Sequence, residues 1–442
     1  MSMTDLIRKL SPYRSGVVCD GLDTVTKLLC EEEAFTVHEF KSGETVNGWT
    51  VPQKWECQKA IIRNSTGLVI YDGNEHPLGV CAYSDSFEGA VSGAELKKHL
   101  FYSNAYDDAL VYHCDWWYKP WARTWGFSVN KTFYALIKDD AQFHVELVTT
   151  LEPGTMKCLE YVLPGKSSES IMLNANNCHP GCANDDLSGC VVGLEVMRLL
   201  AGMEERRYTY RLLIAPEHYG SIFYLNRFGK NGIKWALFLE SLGSEGPLNL
   251  QQSFLGDTMI DRVIQANVND SHAFRRVVGN DETCWEAAGY EIPCPSLSRC
   301  PFGEYHTDKD NADLMSETSL EDAVRTVYSG LRMLETEMVV ERKFTGLVCL
   351  SNPTHDLYKP MLDPSIPDRR TITHEQRRWN YLMDCLPRYF DQKTLVMDIA
   401  ERHRVPFFDV YYYIKEWELK GLVRTYPIYM PADHKPLDLP PG

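Results

Sequence analysis

The chain has no apolar run near the roughly 20 residues needed to cross a bilayer, and residues 1–10 are charged and lack a signal-peptide core. The expectation is a cytoplasmic protein with no membrane partner. Positive charge is scarce: 45 Lys and Arg stand against 61 Asp and Glu, a net charge of −16. That balance argues against nucleic acid as the main partner and suits a small or cationic substrate. No internal repeat or low-complexity tract is visible, which sets repeat architectures aside. The 14 cysteines form no regular framework and read as free core thiols of a reducing compartment. Cys178 and Cys182 flank His179, so a thiolate metal site has to be weighed, but no second pair of knuckle spacing follows.

What is present is globular: 44% hydrophobic and 24% charged residues in a chain of 442, long enough for two or three domains. Between residues 151 and 334, strand and helix patterns alternate. Strands are expected over 169–176, 208–215 and 233–240, and helices over 187–203, 222–228, 257–266 and 319–334. Such alternation implies an α/β fold, a mixed and mostly parallel sheet with helices on both faces. Residues 48–149 read as a β-rich insertion carrying a dense aromatic patch: Trp116, Trp117, Tyr118, Trp121, Trp125 and Phe127. The patch is either packing or a wall of the substrate pocket. A Pro- and Asp-rich linker follows at 346–370. Beyond it, helices are expected over 374–386, 395–402 and 406–420, with a small wing near 421–425, resembling a winged helix-turn-helix at 371–442. The third of these helices is aromatic and acidic where a reading helix presents Arg, Lys, Asn and Gln. This module is therefore expected to pack or to form a homo-oligomer, not to bind DNA.

The chemistry-bearing residues fall at strand ends, where parallel sheets build their sites. His179 and Asp185 follow the first strand of the alternating region, Glu217 and His218 the second, and Glu240 ends the third; His306 lies in a later loop. Zinc takes neutral imidazoles and carboxylates and keeps one position open. A bridging carboxylate can hold two ions about 3.5–4 Å apart, and a further carboxylate must take the proton from water. Taken singly, Asp185 could be a helix cap, His306 a loop histidine and Glu240 half of an ion pair. Their joint placement favours a metal site.

The order of Cys178-His179-Pro180, Asn184-Asp185 with Ser188-Gly189, Glu217 with Gly220-Ser221, Glu240, and Tyr305-His306-Thr307 resembles the co-catalytic zinc aminopeptidases. It is closer still to bacterial polysaccharide-biosynthesis-associated proteins with an aminopeptidase-like domain, a β-rich insertion and a C-terminal winged helix. That resemblance implies a discontinuous aminopeptidase-like catalytic domain at 1–47 and 150–345. It implies metal binding by His179, Asp185, His218, Glu240 and His306, with Asp185 bridging, and Glu217 as general base. Zinc is the implied cofactor, in one or two ions, two being favoured. Asp281, Glu282, Tyr305 and Trp125 are candidates for substrate contact, and Asp281, Glu282, Asp308 and Asp310 are acids that either support the ligands from behind or bind a substrate amine.

The sequence departs from the aminopeptidases in two places. Gly181 stands where they carry an Asp that orients the first His, so another partner is needed. Glu217-His218 stands where they carry Glu-Glu, which leaves Glu217 open as base or as ligand. The implied function is hydrolysis of an amide or peptide bond in a small aminoacyl or acylamino metabolite, or a short peptide-like substrate, within a biosynthetic pathway. The alternatives are a non-hydrolytic zinc acyltransferase or cyclase, and an inactive binding or regulatory protein that acts through the winged helix.

Overall fold

Three near-continuous apolar runs form the centre of the molecule, the pattern of strands buried on both faces. The computed structural model describes residues 1–277, 279–359 and 372–428. Among them, eight strands form one sheet: β1 (Thr36–Lys41), β2 (Thr155–Leu163), β3 (Ser170–Asn176), β4 (Thr209–Ala215), β5 (Ile233–Leu239), β6 (Asn249–Gln251), β7 (Asp270–His272) and β8 (Ser296–Ser298). Their spatial order is β1-β2-β4-β3-β5-β8-β6-β7. β3 runs parallel to β4 and β5, β5 to β8, and β6 to β7. The β1–β2, β2–β4 and β6–β8 pairs are antiparallel.

Helices Gly189–Ala201 and Tyr219–Phe228 connect the parallel strands. Gly189 lets the first of them start against the end of β5, since a Cβ there would lie 2.1 Å from the Leu239 carbonyl oxygen. Across the β1 side, the Glu160 carboxylate ties three strands and a helix. It accepts from Arg211 Nη1 at 2.7 Å and from the Tyr224 hydroxyl at 2.6 Å, and pairs with His38 Nε2 at 2.8 Å.

Residues 48–149 hold a four-stranded antiparallel sheet, in the order Val69–Asp72, Lys54–Asn64, Gln142–Glu152, Phe87–Ser92. Its interior is continuous with the main core: Trp55, Trp117 and Phe127 belong to the same buried cluster as Leu213, Phe223 and Phe238. The chain accordingly divides into two compact units, Met1–Tyr328 and Ser329–Gly442. The insertion lies wholly in the first, and the division comes before the expected boundary at 345. The second unit contains helices His374–Cys385, Val396–His403 and Phe407–Leu419, and strands Met338–Arg342 and Val423–Pro427 paired antiparallel. Of the expected linker (346–370), residues 360–370 lie outside the described residues, as do 371 and 429–442 of the C-terminal domain.

Candidate metal centre

His179, Glu217 with His218, and Glu240 follow the carboxyl ends of β3, β4 and β5. The loop that carries Asp185 is held from two sides. The Asn184 side-chain oxygen accepts from the Gly243 N–H at 2.8 Å and the Ser244 N–H at 3.2 Å, and the Ser188 hydroxyl accepts from the Leu242 N–H at 2.8 Å. The Asn-Asp-x-x-Ser pattern therefore locks this loop to the one after β5. On the other side, Asp310 accepts the N–H groups of Ala183 (3.2 Å), Asn184 (2.6 Å) and Asp185 (2.9 Å). Burial, and then the charge of Asp185, raise the Asp310 carboxyl to about 7.

The fixed loops bring His179, Asp185 and His306 together, with one ligand atom of each within 4.8 Å of the others. Asp185 Oδ2 lies 3.2 Å from His306 Nε2 and 3.8 Å from His179 Nε2, the position of a carboxylate shared between two imidazoles. Glu217 Oε2 is 3.9 Å from His179 Nε2. Burial lowers the basicity of His179, but Asp185 and Asp186 outweigh it and hold the imidazole well above its ordinary pKa. Glu240 goes the other way: burial, then the charges of Asp185, Glu282 and Glu217, push its carboxyl well up. Both Asp185 oxygens, one oxygen each of Asp186 and Glu240, and His306 Nε2 are buried and have no hydrogen-bond partner among the described residues. Carboxylates outnumber imidazoles, and unpartnered buried oxygens are costly. A nitrogen–oxygen set of this kind fits a divalent cation such as zinc.

The missing orienting acid is supplied by Asp186, whose Oδ2 lies 2.8 Å from His179 Nδ1. Gly181 has φ +70°, a conformation in which a side-chain-bearing residue is strained, so the acid comes from the other side of the loop. The adjacent Asp185-Asp186 pair was the available signal. Cys178 also lies beside His179 and Asp186, within reach of a shared ion. Burial pushes its thiol up to about 12, and its sulfur accepts the Glu217 N–H at 3.2 Å.

His218 and Glu240 stand outside the close His179–Asp185–His306 group. His218 sits at the centre of a γ-turn (φ 56°, ψ −56°), with the Tyr219 N–H donating to the Glu217 carbonyl at 2.6 Å. That turn is uncommon and strained. His218 Nδ1 lies 3.3 Å from Asp281 Oδ1, the carboxylate–imidazole contact that orients a metal-ligating histidine.

Asp281 also accepts from the His218 N–H and the Ser221 hydroxyl, both at 2.5 Å, and is fully buried. It acts as a support for His218. Buried Glu282 is likewise engaged by the Asn280 N–H and by Arg275. Neither acid is exposed to contact substrate; of the two roles read from the sequence, support from behind fits Asp281. Trp125 is corrected as well: it is stacked between Phe87 (centroids 4.4 Å) and His99 (3.6 Å) and belongs to packing inside the insertion. Tyr305 does reach the site, stacked on His306 at 3.9 Å. Asp308 accepts from the Leu110 N–H at 3.1 Å.

The insertion supplies Tyr112, which the sequence does not single out, and Tyr118, from the aromatic patch read as packing or pocket wall. Tyr112 packs edge-on against both His179 (5.0 Å) and His306 (5.1 Å). The Tyr118 hydroxyl donates to Glu217 Oε2 at 2.8 Å. Burial and then the Glu217 charge hold that phenol far above its ordinary pKa, so it stays a donor. Pairing of Val111 with Thr307 and of the Tyr112 N–H with the His306 carbonyl brings these aromatics to the metal loops.

Known proteins share this architecture. A Clostridium acetobutylicum protein, described as a polysaccharide biosynthesis protein with an aminopeptidase-like domain, is 30% identical over 340 residues, 75% of this chain and 77% of that protein. A Clostridium acetobutylicum crystal structure provisionally described as a peptidase matches with TM-score 0.81 and 26% identity over 96% of both chains. BSAP, a zinc aminopeptidase from Bacillus subtilis, matches with TM-score 0.57 and 12% identity over 75% of this chain and 93% of that one, a likeness of fold. The family model described as "Domain of unknown function (DUF4910)" matches residues 4–337, and the chain belongs to that family.

Proposed function

We propose that this chain is a zinc-dependent hydrolase that cleaves an amide bond in a small aminoacyl or acylamino metabolite of a biosynthetic pathway. The observation that carries the reading is the convergence of His179, Asp185 and His306, with the Glu217 carboxylate beside them. His179 with Glu240, and His306 with His218, would each share Asp185 to hold two ions. Zinc, when bound, polarises a carbonyl and makes water acidic near pH 7. Glu217 then takes the proton from water and passes it to the leaving amine. Tyr118 fixes one Glu217 oxygen and leaves the other for that proton.

The aromatic walls of Tyr112, Tyr118 and Tyr305 support a small substrate over a long polypeptide. They also suit a site that shuts water out, as an acyltransferase or cyclase requires. Incorporation of labelled oxygen from water into product separates hydrolysis from that second reading. In the C-terminal unit, Val410, Tyr413, Ile414 and Trp417 are buried, which supports a packing role for this aromatic face. The test of the reading is Glu217→Gln. Zinc retained with activity lost supports the base, zinc lost as well makes Glu217 a ligand, and wild-type activity overturns the reading.

A further inference from the structure

A cavity of about 420 Å³ opens beside Glu240, with Arg275, Arg276, Asn280, Phe302 and Tyr305 in its wall. Tyr305 is stacked on His306, so the cavity adjoins the metal cluster. Glu240 is itself part of the lining, and in a chain of net charge −16 two successive arginines line the cavity as well. Arg275 Nη1 lies 3.3 Å from Glu282 Oε1, a carboxylate that already accepts the Asn280 N–H through both oxygens. Among the described residues Arg276 has no carboxylate partner. Gly279 makes room for the arrangement, since a Cβ there would meet the Arg275 guanidinium at 2.0 to 2.3 Å. The volume is that of a small-molecule site, and guanidinium groups recognise carboxylate and phosphate through paired hydrogen bonds.

We propose that this cavity binds an oxyanion, a carboxylate or a phosphate, and that the substrate of the proposed reaction carries that anion on the side away from the amide. The second clause rests on the hydrolase reading; the anion site stands on the cavity alone.

The test is calorimetric titration of the full chain, purified without chelator, with glutarate, neutral glutaramide and inorganic phosphate. Glutarate or phosphate is expected to bind, whichever does so naming the source, with glutaramide at least about tenfold weaker. Arg276→Gln should weaken the anion at least about tenfold. Gly279→Ala, which keeps both charges but displaces the Arg275 fork, should weaken it too. Anion affinity that Arg276→Gln leaves unchanged and His179→Ala abolishes overturns the proposal, because the anion then sits on the metal cluster. Equal binding of glutarate and glutaramide, or no binding of either anion, overturns it as well. If the arginine-dependent affinity is found and no amide is hydrolysed, the cavity's role stands and the hydrolase reading alone falls.

Discussion

Asp186 holds the His179 imidazole through Nδ1 at 2.8 Å, directly after the Asp185 that faces Nε2 of the same ring. Of two consecutive carboxylates, one holds the ring at Nδ1 and the other faces Nε2 at 3.8 Å, across the space a shared ion would take. Asp186→Asn keeps the shape and removes the charge that favours the Nδ1–H tautomer. Zinc affinity should fall about 10- to 100-fold without loss of fold. Competition against a chelating dye measures this, and unchanged affinity would show that another group orients His179.

Tyr118 reaches Glu217 from the insertion. Tyr118→Phe removes one hydrogen bond to a charged acceptor, about 1.5–3 kcal/mol of the interaction that holds Glu217 in place to take the proton. The expected outcome is a kcat lower by about tenfold or more, with metal content unchanged. A raised KM at constant kcat would instead make Tyr118 a plain binding contact.

Glu160 contributes to acid stability. Burial raises its carboxyl, but bonds from His38, Tyr224 and Arg211 prevail and carry it from an ordinary 4.5 to about 2. The folded pKa is depressed, so its stabilisation is present above pH 4.5 and is lost as pH falls towards 2. Glu160→Gln leaves Arg211 without its anion and should cost about 3 kcal/mol near neutrality. It should also flatten that part of the acid unfolding curve. Thermal unfolding of both proteins across this pH range is the check, and identical slopes would contradict the assignment.

The C-terminal helix Phe407–Leu419 buries Phe407, Val410, Tyr413, Ile414 and Trp417. Duplex DNA should not be retained in a gel shift at physiological salt. Binding that weakens steeply as salt rises would show phosphate contacts and return the nucleic-acid reading.

The centre of the fold was legible because β3, β4 and β5 are long apolar runs bounded by polar loops. Strands β6, β7 and β8 have three residues each, too few to show a period, and β1 and β2 pair antiparallel across sequence distances that no local pattern encodes. The metal loops could be read from residue type at strand ends. Asp186 could not be separated from its neighbour Asp185 without knowing which way each carboxylate points. The sequence does not single out Tyr112, and it leaves Tyr118 between packing and pocket wall, for a different reason. An aromatic that packs and an aromatic that lines a site have the same composition, and only the pairing of 110–112 with the His306 loop tells them apart. Trp125, chosen from the same patch, proved to be the packing kind.

The account depends on a divalent ion held by His179, Asp185 and His306. Elemental analysis of protein purified without chelator, beside Asp185→Asn, tests it most directly. The prediction is about one to two equivalents of zinc per chain in the wild type and loss of most of it in the variant. A wild-type protein that carries no divalent metal and takes up none from added zinc would contradict it.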